Sequence, residues 1–134
     1  ALVWGKLVVN VGINALTALL RVPNGALPDT PAARELAAEA VAEAVAVAQA
    51  RGTPIPQDKP LEHVLAVARA TGANRSSMLQ DVLRGSPTEI ATINGAVVRE
   101  GERLGVPTPV NRLLTRLVEA LDATAAQRVR DSHV

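Results

Sequence analysis

Thirteen of the seventeen residues in WGKLVVNVGINALTALL, from Trp4 to Leu20, are apolar or glycine. A helix this apolar has to be packed on most of its circumference, so the rest of a 134-residue chain must be built around it as one domain. Four residues interrupt the run: Lys6, Asn10, Asn14 and Thr17. They argue against a membrane span, because a lysine near the start and two asparagines near the middle are costly in lipid. A signal peptide would need a basic start, a short apolar region and a small-residue cleavage site. The chain opens in mid-pattern at Ala1, without an initiator Met or a capping residue, as expected of a piece of something longer.

The four exceptions are not scattered. At about 100° per residue, with Lys6 at zero, Asn10 falls near 40°, Asn14 near 80° and Thr17 near 20°. Lys6 to Asn14 covers about 12 Å of helix, enough to hold a small polar metabolite against three side chains. A solvated stripe is the plain alternative, but such stripes favour Glu, Lys, Arg and Gln, whereas Asn and Thr are poor helix formers. The chain uses 12 Arg and only two Lys, which marks Lys6 as a place for a compact, titratable ammonium. Packed against Val and Leu, that ammonium is expected to be partly desolvated and a ready proton donor, suited to general acid catalysis at a carbonyl oxygen. The asparagine amides would orient the substrate.

Composition narrows the remainder. Trp4 is the only aromatic residue, so the core must be Leu, Val, Ile and Ala, and stacking platforms for bases or sugars are missing. Fourteen basic residues against 13 acidic give a net charge of +1, which selects neither nucleic acid nor an anionic membrane as partner. Cysteine is absent, excluding disulfides, thiolate metal sites and cysteine nucleophiles and fitting a reducing, cytoplasmic compartment. The two histidines, His63 and His133, are too far apart in sequence to suggest a metal site.

Proline and glycine clusters at residues 22–31, 51–60, 84–88 and 105–109 divide the chain into helix-length segments. After the first helix, a second is delimited by Thr30 or Asp29 as N-cap, Pro31 at its first position and Gly52 past its end. Its AEAVAEAVAVA alternates like a strand, but ten alanines between Ala32 and Ala50 favour helix. Further helices are predicted over about Asp58–Thr71 and Ser76–Leu83, and as one continuous segment from Thr88 to Leu104. The last begins after Thr108-Pro109, with Val110, Leu113, Leu114, Leu117, Val118 and Leu121 as an apolar stripe. The expectation is an all-α domain of about six helices over residues 1–122, followed by a fraying tail, 123–134. Asn94 in ING reads as structural, beside a Gly95 that permits a close helix crossing.

Three motifs in combination, K-x-x-x-N-x-x-x-N-x-L-T-A, SSMLQD with TEI seven residues on, and INGAxV ending in GxPTPxN, resemble the C-terminal helical domain of the ketopantoate reductase (2-dehydropantoate 2-reductase) family. The similarity runs from Trp4 to about Leu121. It implies an all-α fold like the C-terminal domain of 6-phosphogluconate dehydrogenase and an NADPH-dependent oxidoreductase reducing ketopantoate to pantoate. It implies Lys6 as the general acid, with Asn10, Asn14, Asn74, Ser77 and Glu89 as substrate-binding residues. The alternatives are that Ser76 or Ser77 is simply a helix cap and Glu89 a first-turn carboxylate. Ala15 and Ala91 depart from the family's usual Pro and Asp, which leaves room for another 2-oxo acid substrate. No G-x-G-x-x-G occurs, so no cofactor is expected on this chain itself; NADPH would sit mainly on an N-terminal Rossmann domain absent here. The partners implied are that domain, a small 2-oxo acid and, compatibly, a second copy in a homodimer. A non-catalytic helical interaction module, with Lys6 pointing to solvent, is the rival from another class.

Overall fold

The computed structural model describes residues 3–53 and 55–129. Its helices are α1 (Trp4–Leu20), α2 (Ala26–Asp29), α3 (Pro31–Arg51), α4 (Pro60–Ala70), α5 (Ser77–Arg84), α6 (Asn94–Leu104) and α7 (Pro109–Ala123). Short 3₁₀ turns occupy Ile90–Thr92 and Ala125–Gln127. There is no strand among the described residues. The domain is all-α, as the composition and spacing predict.

α1 runs through the middle and packs on α3, α4, α5 and α7. Val11, Ala15 and Ala18 on it are closed off, together with an alanine seam of α3, Ala37, Ala40, Ala44 and Ala48. A seam without long side chains lets two helix backbones approach, which substitutes for the missing aromatics. At Gly12 there is no room for a side chain: a Cβ would lie 2.7 Å from Val64 Cγ1 on α4 and 3.0 Å from Val41 Cγ2 on α3. At Gly95 a Cβ would meet the Ile90 carbonyl of the preceding 3₁₀ turn at 3.2 Å and Thr115 Cγ2 of α7 at 3.7 Å, so α7 does pass close to it but the tightest contact is with the chain just before α6.

Local signals set the helix ends. Thr30 stands at the cap position of α3, with Pro31 next and Gly52 in the left-handed region at φ 74°. The Thr30 hydroxyl, however, donates back to the Ala26 carbonyl at 2.7 Å, closing α2, a helix hidden in a proline- and glycine-rich stretch and missed by the sequence reading. Ser76 caps α5, its Oγ accepting from the Leu79 N–H at 3.1 Å.

Three expectations are corrected. The segment from Thr88 to Leu104 is not one helix: a 3₁₀ turn ends at Thr92, Ile93 takes φ −109°, ψ −95°, and α6 begins at Asn94. Both ends of the break are tied to α7, Thr88 to Asp122 through its N–H and hydroxyl and Asn94 to Asn111 at 3.0 Å. Along α7 those anchors are about 16 Å apart, whereas six residues of α-helix rise only about 9 Å, so the backbone has to stretch. Secondly, residues after Asp122 do not fray at once: Arg128 donates to the Val82 carbonyl and, at 3.2 Å, to that of Leu121. It lines a cleft of about 410 Å³ with Arg21 and Arg84, where α1, α5 and α7 end. Residues 130–134, including His133, lie outside the described residues. Thirdly, the apolar stripe of α7 is not wholly used: Leu114 and Val118 are buried and Val110 and Leu121 pack against the core, but Leu113 and Leu117 are 55% and 44% exposed.

Behind the break, Asn94 and Asn111 are fully buried. Asn94 Nδ2 donates to Asn111 Oδ1, and Asn111 Nδ2 donates to the Ala40 carbonyl at 3.0 Å and to Glu43 at 2.9 Å. The Glu43 carboxylate also accepts the N–H groups of Val110 and Asn111, capping α7 from α3. Asn94 is thus tied into the interior, in agreement with its structural reading.

Candidate functional site

The polar line of α1 divides along its length. Lys6 is exposed and Asn10 half-buried, Asn14 is buried, and Thr17 is closed off from solvent. Thr17 belongs to the scaffold. Its hydroxyl donates to the Ile13 and Asn14 carbonyls and lies 2.7 Å from Ser76 Oγ. With the Ser76 oxygen accepting from Leu79, the Ser76 proton is free to go to Thr17, so one contact caps α5 and ties its start to α1. Ser77, the next residue, is thereby left at the surface.

Lys6, Asn10 and Leu7 line, with Val3, Glu89, Thr92 and Ile93, a depression of about 320 Å³. A smaller depression of about 140 Å³, lined by Ser77, Met78, Asp81, Glu89 and Ile93, shares Glu89 and Ile93 with it. The two depressions adjoin at Glu89 and Ile93, and together they make a groove-like region between the first half of α1, the start of α5 and the 3₁₀ turn before α6. Four of the six residues singled out from the sequence, Lys6, Asn10, Ser77 and Glu89, are brought together there. Asn14 sits about one turn further along α1, 8% exposed and without a side-chain hydrogen bond among the described residues. Asn74 is exposed on the turn before α5; its carbonyl accepts from the Asn24 N–H, and it lines neither depression.

The sequence reading missed Thr92, Ile93 and Asp81 as lining residues. Asp81 was discoverable, since it stands four residues after Ser77 on one helix face. Ile93 and Thr92 reach the groove only because the helix is broken before Asn94.

The expectation that apolar neighbours cover Lys6 is not met among the described residues: α5 covers the polar line of α1 only near Thr17, and at the level of Lys6 the side chain is exposed. Among the described residues no carboxylate lies within ion-pair distance of its ammonium. Asp81 is held by Arg84 at 3.1 Å, which leaves Glu89 as the uncommitted carboxylate of the groove. Chemically the arrangement offers one proton-donating ammonium, an amide, a hydroxyl and a carboxylate over an apolar floor of Leu7, Met78 and Ile93. That set suits a small oxo acid. Among the described residues no three His, Cys, Asp or Glu side chains gather to hold a metal ion, and no helix is long and apolar enough to cross a membrane.

The family model described as "Ketopantoate reductase PanE/ApbA C terminal" matches residues 1–122. A 2-dehydropantoate 2-reductase of Pyrobaculum aerophilum is 50% identical over 120 residues, 90% of this chain and 43% of that protein. Among solved structures, a PanE/ApbA family ketopantoate reductase from Ralstonia eutropha JMP134 superposes with a TM-score of 0.86 at 34% identity, covering 92% of this chain and 41% of that one. D-mandelate dehydrogenase in a ternary structure with NADH and anilino(oxo)acetate gives a TM-score of 0.80 at 31% identity, again over 92% and 41%. The chain therefore spans about two fifths of the length of the relatives it matches.

Proposed function

The chain belongs to the ketopantoate reductase family, whose C-terminal part it matches, and we propose that in the intact enzyme it is the substrate-binding half of an NADPH-dependent 2-dehydropantoate 2-reductase. The reaction would be reduction of ketopantoate to pantoate, on the route to pantothenate and coenzyme A, in the cytoplasm. The observation that carries this reading is the pair of adjoining depressions, one lined by Lys6 and Asn10 and the other by Ser77, that meet at Glu89.

NADPH would be the source of hydride. The described residues do not fit it, having no strand and no glycine-rich turn between a strand and a helix, so its binding is assigned to a Rossmann domain outside them. What these helices would do is bind and protonate. Lys6 Nζ donates a proton to the substrate oxygen as it becomes an alkoxide. Asn10, with Asn14 behind it, donates an amide hydrogen bond that fixes the oxo acid against α1. Ser77 and Glu89 take the distal hydroxyl, one by its own hydroxyl and the other as acceptor; Asn74, which lines neither depression, is given no contact with the substrate by these helices.

An exposed Lys6 is what the interaction-module reading expects of a chain acting alone, and also what a reductase reading expects of one wall of a two-walled cleft. Turnover separates them. In full-length protein Lys6→Ala should reduce kcat at least about a hundredfold, the usual scale of general acid catalysis; near-normal turnover refutes the role. The likeness to D-mandelate dehydrogenase favours one second reading, a reductase of a different 2-oxo acid. A panel of ketopantoate and aromatic 2-oxo acids, each with NADPH and NADH, distinguishes the two by kcat/KM.

A further inference from the structure

We propose that Trp4, clamped by Arg51, fixes the first turn of α1 and so sets the place of Lys6, a positioning role that rests on the general acid assigned above. The start of α1 lacks the usual anchors. Val3 at its cap position is extended, 67% exposed and makes no side-chain cap, and no acidic residue stands in the first turn. Gly5, a poor helix former, lies between Trp4 and Lys6. A turn built this way should open readily, since its first N–H groups have no partner within the helix. Yet it carries the residue whose position matters most.

Trp4 supplies the missing hold. Its side chain is 2% exposed, and the Arg51 guanidinium lies over the ring, 5.4 Å from the centroid. Arg51, the last residue of α3, also pairs with Glu100 on α6, and Glu100 in turn accepts from Arg103 at 2.8 and 3.0 Å. The start of α1 is therefore pinned through Arg51 to two other helices. The indole N–H is buried without a partner among the described residues. With no partner for that donor, the contact the indole does make is through its ring face, and tryptophan is the best of the aromatic faces for a guanidinium. Pro56 adds a lid, its Cδ 3.3 Å from where a Cβ on Gly5 would be.

The geometry connects this clamp to the groove. Trp4 and Lys6 are two residues apart, about 200° around the helix, so an inward indole puts the lysine outward. If the clamp is released and the turn swings by about 20°, an ammonium some 8 Å from the helix axis moves about 3 Å. A displacement of about 1 Å can already cost about a hundredfold in rate.

The test pairs Arg51→Met, which keeps the length and removes the charge, with Arg51→Lys, which restores a cation over the ring. In the 134-residue chain, hydrogen exchange at the Leu7 amide, bonded to the Val3 carbonyl, should speed up at least tenfold in Arg51→Met while the Ala15 amide is unchanged. Arg51→Lys should largely recover the native rate. In full-length protein, kcat for ketopantoate should fall at least tenfold in Arg51→Met with KM changed less than threefold, and Arg51→Lys should rescue it. Native exchange at Leu7 in Arg51→Met overturns the clamp; faster exchange with unchanged kcat overturns its positioning role. If Lys6→Ala itself turns over normally, the general acid assignment has failed, and this role for the clamp falls with it even where the exchange data hold.

Discussion

Replacing Asn111 by alanine should be among the most damaging single changes in the domain. The side chain donates to the Ala40 carbonyl and to Glu43 and accepts from Asn94, all in a fully buried position. The lost bonds differ in consequence. Ala40 keeps its place as a helix acceptor within α3, so the neutral bond is worth about 1 kcal/mol. Glu43 retains the backbone N–H groups of Val110 and Asn111, which keeps the loss of the charged bond near about 1.5 kcal/mol. Asn94 fares worst: its Oδ1 already lacks a partner, and truncation orphans its Nδ2 too, at about 1 to 3 kcal/mol. The total is about 3.5 to 5.5 kcal/mol. Urea unfolding followed by far-ultraviolet circular dichroism reads it, with Asn94→Ala and the double variant completing a cycle. Removing both partners abolishes the orphan, so the double variant should be less destabilised than the sum by about 1 to 2 kcal/mol. A loss below about 1 kcal/mol for Asn111→Ala, or strict additivity, would show that the network does not hold α3, α6 and α7 together in this way.

Other changes probe other levels. Gly12→Ala drives a methyl into Val64 and Val41, two side chains stiff at χ1, and should cost about 1 to 3 kcal/mol despite the better helix propensity; a melting temperature at or above the native one would sink the close-crossing argument. Ser76→Ala removes the α5 cap and the partner of Thr17 and should cost about 1 to 2 kcal/mol by urea titration, so an unchanged midpoint would refute the cap. Hydrogen bonds from Arg103, and then from Arg51, hold the Glu100 carboxyl down at about 2, from an ordinary 4.5. With the folded value depressed, its stabilisation is complete above about pH 4.5 and disappears as the pH falls towards 2. The gap in urea midpoint between native and Glu100→Gln protein should therefore be widest at pH 6 and narrow steadily below about pH 4.5, towards pH 2; a gap constant with pH contradicts it.

Helix limits were legible where a local signal sets them. Thr30-Pro31 and Gly52 bracket α3, and Ser76 and Gly85 bracket α5, because caps and left-handed glycines act within four or five residues. The break at Ile93 was not, since its cause lies in two anchors on α7 that no window around TEIATING contains. The same holds for Arg128, whose acceptor carbonyl at Val82 is 46 residues away. In the groove, the alignment of Lys6 with Asn10 follows from helical arithmetic alone. Whether Lys6 is covered does not, because burial depends on which neighbouring helix reaches that arc. Asn74 was picked through resemblance, and no helical geometry in the sequence could place a turn residue beside or away from the groove.

The cleft where Arg21, Arg84 and Arg128 meet marks one pole of the molecule. Three helices end there, and the partial negative charges of their terminal carbonyls gather around those three guanidinium groups. Because α1 runs on from there toward the groove, its opposite, amide-bearing end lies under Lys6, and the start of α5 lies under Ser77. Each such end behaves as roughly half a positive charge. The backbone alone thus contributes a potential that falls from groove to cleft, opposite in sense to the side chains, since three guanidinium groups line the cleft while Glu89 and Asp81 line the groove.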